Sequence, residues 1–325
     1  MNKQMIWGGI VSCTLIMASN GMAQSYPAKP IRMIVPYPPA GTTDFVAREV
    51  GQKMADNLTQ PVIIDNRPGA GTLIGLTQGV RAPADGYTLS FGTSAGLALN
   101  PALGQKMPFD IKRDFAPVGL MVYVPYFLVV NASLPIHSVK ELIEWVKVRP
   151  REVNMASPGI GTPNHLGVEM LNMMARVKLV HVPYKGGAQA VTDLVAGQVQ
   201  VMFSGTPQVE AFVKTGRLRI IATATQKANR VAPDQPTVAE TFPGFDCNTW
   251  YGLLVPVATP REKIVRLNAA LRYALLDPGV VQRMLAQGVE PTFSSPQAMA
   301  DLIREETGRW KKVIDQAGIK VDNSQ

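Results

Sequence analysis

The sequence predicts an α/β protein of two lobes, each a mostly parallel sheet flanked by helices, with a cleft between them. Three observations carry this prediction. From residue 31 onwards, short β-branched runs alternate with amphipathic helical patterns, the signature of βα units. The 325 residues exceed what one hydrophobic core ordinarily serves, and a composition 46% hydrophobic and 17% charged supplies apolar surface for two cores. No internal repeat or low-complexity linker interrupts the chain, so strands crossing between the lobes are expected to join them.

In chain order, residues 1–23 come first, as an export signal. Met1 to Lys3 is a short basic start, Met5 to Met17 an apolar run, and Gly21-Met22-Ala23 a small-residue end. This is the layout of a secretory signal peptide cleaved after Ala23. An apolar run of about thirteen residues falls short of the roughly twenty that a bilayer span needs. Ile10-Val11-Ser12-Cys13 offers a competing lipoprotein reading with Cys13 lipidated, weaker because it leaves only Gln4 to Gly9 as the hydrophobic segment. Cleavage after Ala23 leaves Cys247 alone, so no internal disulfide forms and stability rests on packing.

Strands are expected at Ile31 to Val35, Val62 to Ile64, Thr88 to Phe91, Tyr126 to Val130, Val153 to Ala156, Lys178 to Val182, Val199 to Phe203, Leu218 to Thr223 and Trp250 to Val255. Three helices follow. The first opens at Thr259-Pro260-Arg261-Glu262, read as a capping box with Pro at the first helical position. The second begins at Asp277-Pro278, and the third runs from Ser295-Pro296 towards Gln316, with Gly318 to terminate it. Crossings near Gly119 to Tyr123 and Pro243 to Trp250 divide the mature chain into a first lobe of 24–122 with 246–325 and a second of 123–245. The net charge is +8, but the basic residues are scattered, with nothing denser than Arg309-Trp310-Lys311-Lys312. That argues against nucleic acid and favours the approach of anionic solutes.

Two loops offer an anion the start of a helix, where free backbone N–H groups and the positive dipole end point outward. Pro36-Tyr37-Pro38-Pro39-Ala40-Gly41-Thr42-Thr43-Asp44 follows the first strand, and Val46, Val50, Met54 and Leu58 mark the helix beyond it. Ligands of open α/β sheets lie at such strand ends. Tyr37 can flank an organic body; the plainer alternative is a turn with Thr42 or Asp44 as N-cap. Ser157-Pro158-Gly159-Ile160-Gly161-Thr162-Pro163-Asn164-His165 repeats the arrangement, with Thr162 as N-cap. Here the Ser157 and Thr162 hydroxyls and the Gly159 and Gly161 amides are candidate donors to a carboxylate, and His165 is read as structural. A third loop, Tyr184-Lys185-Gly186-Gly187, and residues near Ser204 to Pro207 are further candidates. The two similar helix starts suggest a clamp on one anionic group.

Enzymatic motifs are weak. Gly92-Thr93-Ser94-Ala95-Gly96 fits the G-x-S-x-G nucleophile elbow, but no HGGG-like segment is present and the last histidine, His181, precedes the final 144 residues. Ser94 is read instead as a hydroxyl presented to the cleft. Gly69-Ala70-Gly71-Thr72-Leu73-Ile74-Gly75 misses G-x-G-x-x-G by one residue. His137, His165 and His181 lack metal-site spacing. No metal, cofactor or catalysis is expected.

These segments, with Asn66-Arg67-Pro68-Gly69-Ala70-Gly71, Asp85-Gly86-Tyr87-Thr88-Leu89, Val182-Pro183-Tyr184-Lys185-Gly186-Gly187, Ala196-Gly197-Gln198-Val199, Pro236-Thr237-Val238-Ala239-Glu240 and Trp250-Tyr251-Gly252-Leu253, occur in an order that closely resembles the Bug or TctC-type family. These are the solute receptors of tripartite tricarboxylate transporters. The resemblance spans the mature chain and implies a type II periplasmic binding fold of the Venus flytrap kind. It implies a monomer in the periplasm that closes on a small carboxylate: a di- or tricarboxylate, an acidic amino acid or an aromatic acid. The partner implied is the set of membrane transporter subunits, or in some members a sensor kinase. The ligand residues carried over are Tyr37, Pro38, Ala40, Gly41, Thr42 and Asp44 in one loop and Ser157, Gly159, Gly161, Thr162 and His165 in the other. Ala40 and Thr72 depart from the family pattern, which commonly has glycine at both.

Overall fold

A computed structural model describes residues 26–319; the expected signal peptide and Cys13 lie outside them. The strands are β1 (Ile31–Val35), β2 (Val62–Asn66), β3 (Thr88–Thr93), β4 (Phe115–Pro125), β5 (Phe127–Asn131), β6 (Asn154–Ser157), β7 (Val180–Pro183), β8 (Val201–Ser204), β9 (Leu218–Thr223), β10 (Asn248–Pro256) and β11 (Glu290–Pro291). The helices are α1 (Thr42–Leu58), α2 (Leu73–Val80), α3 (Asn100–Ala102), α4 (Ile111–Asp114), α5 (Val139–Lys147), α6 (Pro163–Ala175), α7 (Gly187–Ala196), α8 (Thr206–Lys214), α9 (Val238–Thr241), α10 (Arg261–Leu276), α11 (Pro278–Ala286) and α12 (Pro296–Ala317).

Two sheets form two lobes, in the orders β11-β4-β10-β3-β1-β2 and β7-β6-β8-β5-β9. Both are mixed. The βα units pair in parallel, as β1 does with β2 and β3 and β6 does with β7 and β8. Antiparallel pairs arise where the chain changes lobe: β4 leads out of the first sheet and β10 returns to it, so the two run side by side in opposite directions.

β4 is longer than the crossing expected near Gly119 to Tyr123, and the two-residue β11 is not expected from sequence; Pro117 and Gly119 within β4 are residues that disfavour a regular ladder. Register shifts against β10, between Tyr251 and Gly252 and between Leu253 and Leu254, absorb them. β4 therefore carries the chain unbroken to Pro125, and the change of sheet falls at Tyr126. β10 is buried along its whole length, which is why it reads as a continuous apolar run. In α1, Val46, Val50, Met54 and Leu58 are buried as their spacing requires.

The capping box expected at Thr259 is not formed. Pro260 is itself the N-cap, α10 begins at Arg261, and the Thr259 hydroxyl is buried without a partner. Thr237 and Glu240 form a reciprocal capping box instead, at α9. Asp277 and Ser295 cap α11 and α12 as expected, and Gly318 ends α12 in the left-handed region. α12 serves both lobes: Met299 and Ile303 pack with Leu97 and Trp250, whereas Trp310, Val313 and Ile314 pack with Leu166 and Phe245.

Candidate functional site

The first loop is held by a buried carboxylate. Asp44, 4% exposed, accepts from the Ala40 N–H at 3.1 Å, from Arg48 Nε at 2.8 Å and from Asn66 Nδ2 at 3.1 Å. Asn66 also donates to the Tyr37 carbonyl at 3.1 Å, so one pair ties both ends of the loop. The Arg48 bond, against burial and helped by Ala40 and Asn66, holds the Asp44 carboxyl below its usual value. Asp44 therefore shapes the loop and is spent within it. Gly41 is the N-cap of α1 and brings no capping side chain; neither Thr42 nor Asp44 takes that role. The first-turn N–H groups of α1 stay open to an anion.

In the second loop the expected donors are engaged internally. Ser157 Oγ lies 2.6 Å from His181 Nε2, donates to the Gly159 carbonyl at 3.0 Å and accepts from the Gly159 N–H at 3.2 Å. Thr162 Oγ1 donates to Gly159 O at 2.7 Å and caps α6 by accepting from the His165 N–H. The Gly161 N–H donates to His165 Nδ1 at 3.1 Å. Gly159 and Gly161 sit at φ 151° and 76°, where side chains are strained. These polar groups thus fix a shape, and no hydrogen bond among the described residues occupies the N–H groups of Ile160, Thr162 and Asn164.

The two loops face each other across a cleft of about 610 Å³, with Tyr37, Pro38 and Thr43 on one side and Ile160, Gly161 and Thr162 on the other. A smaller chamber of about 200 Å³ adjoins it, walled by Thr42, Gly205, Gln208 and Gln287. Tyr126, Asn164, Thr249 and Tyr251 line both. No charged side chain lines either chamber. Burial pushes the phenols of Tyr37, Tyr126 and Tyr251 up, so all three remain neutral. Tyr37 reaches Thr93 Oγ1 at 3.3 Å; among the described residues Tyr126 and Tyr251 have no hydroxyl partner.

Other expected residues stand behind the walls. Ser94 is buried with its hydroxyl 2.7 Å from Thr249 Oγ1, which replaces the base that a nucleophile elbow needs. Ser204 is buried and donates to Gln208 Oε1 at 3.1 Å, so it supports the wall. Tyr184 donates to Asp193 at 2.8 Å and ties its own loop to α7. Ala40 and Gly41 form the exposed bend of the first loop. Tyr126, Asn164, Thr249 and Tyr251 are not singled out as ligand residues by the sequence. Thr249 and Tyr251 are two apart on one strand and so share a face, but which face looks into the cleft depends on how the lobes meet.

The family model for the tripartite tricarboxylate transporter family receptor matches residues 46–319. Protein BugT of Bordetella pertussis is 36% identical over 315 residues, covering 96% of this chain and 97% of that protein. The chain belongs to this receptor family. Among solved structures, R. palustris Rpa4515 with adipate is similar at 34% identity and TM-score 0.76, over 91% of this chain and 99% of that one. MatC (Rpa3494) from Rhodopseudomonas palustris with bound malate is similar at 31% identity and TM-score 0.72, over 89% and 100%. This receptor therefore has the two-lobed periplasmic binding fold, and relatives of this kind have been seen with carboxylates in place. Its family departures fall where glycine would be easiest: Ala40 at φ 67° and Thr72 at φ 88°.

Proposed function

We propose that this receptor is exported to the periplasm by residues 1–23, captures a small carboxylate there without chemical change, and delivers it to the membrane subunits of a tripartite tricarboxylate-type transporter. The observation that carries the reading is a cleft with two helix starts opposed across it and no charged side chain in its walls. An anion there is held by N–H dipoles, whose worth rises as water is excluded. The open N–H groups of Thr42 and Thr43 on one side, and of Ile160, Thr162 and Asn164 on the other, take one carboxylate. The neutral hydroxyls of Tyr126 and Tyr251 take a hydrogen-bond-accepting group at the far end of the ligand. Adipate and malate in the two R. palustris relatives support ligands of this class. Closure swings 123–245 against 24–122 with 246–325, and the ligand favours the closed form through contacts that only this form makes.

Thermal melting against di-, tri- and aromatic carboxylates and acidic amino acids tests the proposal. A true ligand at a hundredfold excess over Kd stabilises the protein by about 2.7 kcal/mol. No shift with any member of the panel would refute carboxylate capture. Gly161→Val should abolish binding, because the residue sits at φ 76° in the clamp.

A further inference from the structure

We infer that His165 and His181 are the positioning residues of the second clamp loop, and that the loop keeps its binding shape only while this stacked pair is uncharged. The inference rests on the reading of Ser157 to Thr162 as one half of a carboxylate clamp.

The two rings come from different elements, His165 from the first turn of α6 and His181 from β7. They stack with centroids 3.9 Å apart and planes at 18°. Each ring holds a different part of the loop. His165 Nδ1 accepts the Gly161 N–H at 3.1 Å, so the neutral ring must carry its proton on Nε2. His181 Nε2 meets Ser157 Oγ at 2.6 Å, and that hydroxyl bridges both the N–H and the carbonyl of Gly159. The backbone from Ser157 to Gly161 is thus hung on two imidazoles.

A proton on His165 Nδ1 would set two donors face to face and release Gly161. A charge on both rings would place like charges about one ring-stacking distance apart, away from bulk water. The surroundings offer little compensation. On α6, Glu169 Oε1 stands 4.0 Å from His165 Nε2, too far for a hydrogen bond, and burial raises that carboxyl above its usual value. β6 contributes Ser157. α12, which packs against α6, carries Glu306 and Arg309, and these pair with each other. Burial lowers His165, while burial followed by the His165 neighbour lowers His181 to about 4 from an ordinary 6.5.

The direction of the pH effect follows from this. Below pH 6.5 the unfolded or released loop takes up protons that the intact clamp refuses, so the clamp is weakened as pH falls towards 4 and is unaffected above 6.5. Such a receptor would hold its ligand in neutral medium and let it go in acid through its own loop, besides any protonation of the ligand.

The test has a ligand-free arm and a binding arm. The chain has three histidines, and His137 is exposed, so nitrogen-15 NMR of the histidine-labelled protein needs only three assignments. His165 should be the Nε2–H tautomer, and both His165 and His181 should titrate below 6.5. An Nδ1–H tautomer of His165, or ordinary titration of both rings, overturns the inference whether or not any ligand is known. In the binding arm, adipate and malate are titrated calorimetrically at pH 7.5 and 4.0 into wild type and His165→Asn, whose amide oxygen is an acceptor that cannot protonate. Ligand protonation is common to both proteins and cancels in their ratio. The variant should bind within about threefold of wild type at pH 7.5, and the ratio should move at least about twofold in its favour at pH 4.0, where His181 of wild type is taking up its proton. A ratio independent of pH overturns the inference. If neither acid binds wild type at pH 7.5, these acids are excluded as ligands, while the NMR result still decides the role of the two rings.

Discussion

Ala40 occupies a backbone position that favours glycine, yet it is accommodated because Asp44 accepts its N–H and fixes the bend. An L-residue in the left-handed region costs about 1–2 kcal/mol, while glycine gives back roughly 0.5–1 kcal/mol through the freedom of the unfolded chain. Ala40→Gly should therefore raise stability by up to about 1 kcal/mol, read as a higher midpoint in urea at unchanged slope. A lower midpoint would mean that the methyl group packs usefully. Thr72 is the harsher case: its φ is 88°, it is β-branched, and its buried hydroxyl has no partner. It lines the cleft, so the same residue carries strain and shapes the surroundings of the proposed ligand. Tyr251→Phe removes one hydroxyl that has no protein partner, so the unliganded protein should keep its stability. Binding of a ligand whose far end accepts a hydrogen bond should weaken by about tenfold, while an aliphatic monoacid of equal length should bind unchanged. Calorimetry with adipate and hexanoate makes that comparison. Equal losses for both would remove Tyr251 from recognition of the far end.

At the scale of elements, the proposed clamp is two helix starts prepared in opposite ways. α1 lacks a side-chain cap and leaves its first turn open, whereas α6 is capped by Thr162 and has its loop braced by imidazoles. Asp44 is the brace of the first. Asp44→Ala frees the Ala40 N–H, Arg48 and Asn66 together, and Asn66 is also the anchor of the Tyr37 carbonyl. Removing a buried, charge-assisted hub costs about 3 kcal/mol, and the disordered loop should cost at least tenfold in carboxylate affinity. Hydrogen exchange of 36–44 should rise selectively. Because its carboxyl is held below its usual value, the Asp44 brace persists above the ordinary carboxylate pKa and is lost only as pH falls through its lowered one. The first loop should thus outlast the histidine-braced second loop on acidification.

For the whole molecule, charge and the proposed recognition cleft are separated. The surface carries the excess of basic residues while the cleft walls carry none. Added salt should slow carboxylate association by screening the long-range field and leave the dissociation rate within about twofold. A dissociation rate that rises with salt would require an ion pair in the bound state. α12, packed into both cores, limits how far the lobes can part, so opening should be a small hinge motion at Tyr126 and at the entry to β10.

The amino-acid order by itself determined the βα alternation, the two helix-start loops, the terminal helices and the family, because each is written in local periodicity, capping residues or contiguous motifs. The full extent of β4, beyond the crossing expected near Gly119 to Tyr123, was decided by pairing with β10, whose register shifts accommodate Pro117 and Gly119. The cleft walls at Tyr126, Asn164, Thr249 and Tyr251, and the meeting of His165 with His181, were likewise decided by tertiary structure. Residues far apart in the chain become neighbours only when two sheets and the crossing strands fix how the lobes face each other, and no local pattern encodes that distance. The same holds for the hydroxyls and amides of Ser157 to Thr162. The sequence names them as donors, but the fold sets which of them are spent on the loop and which are left for a ligand.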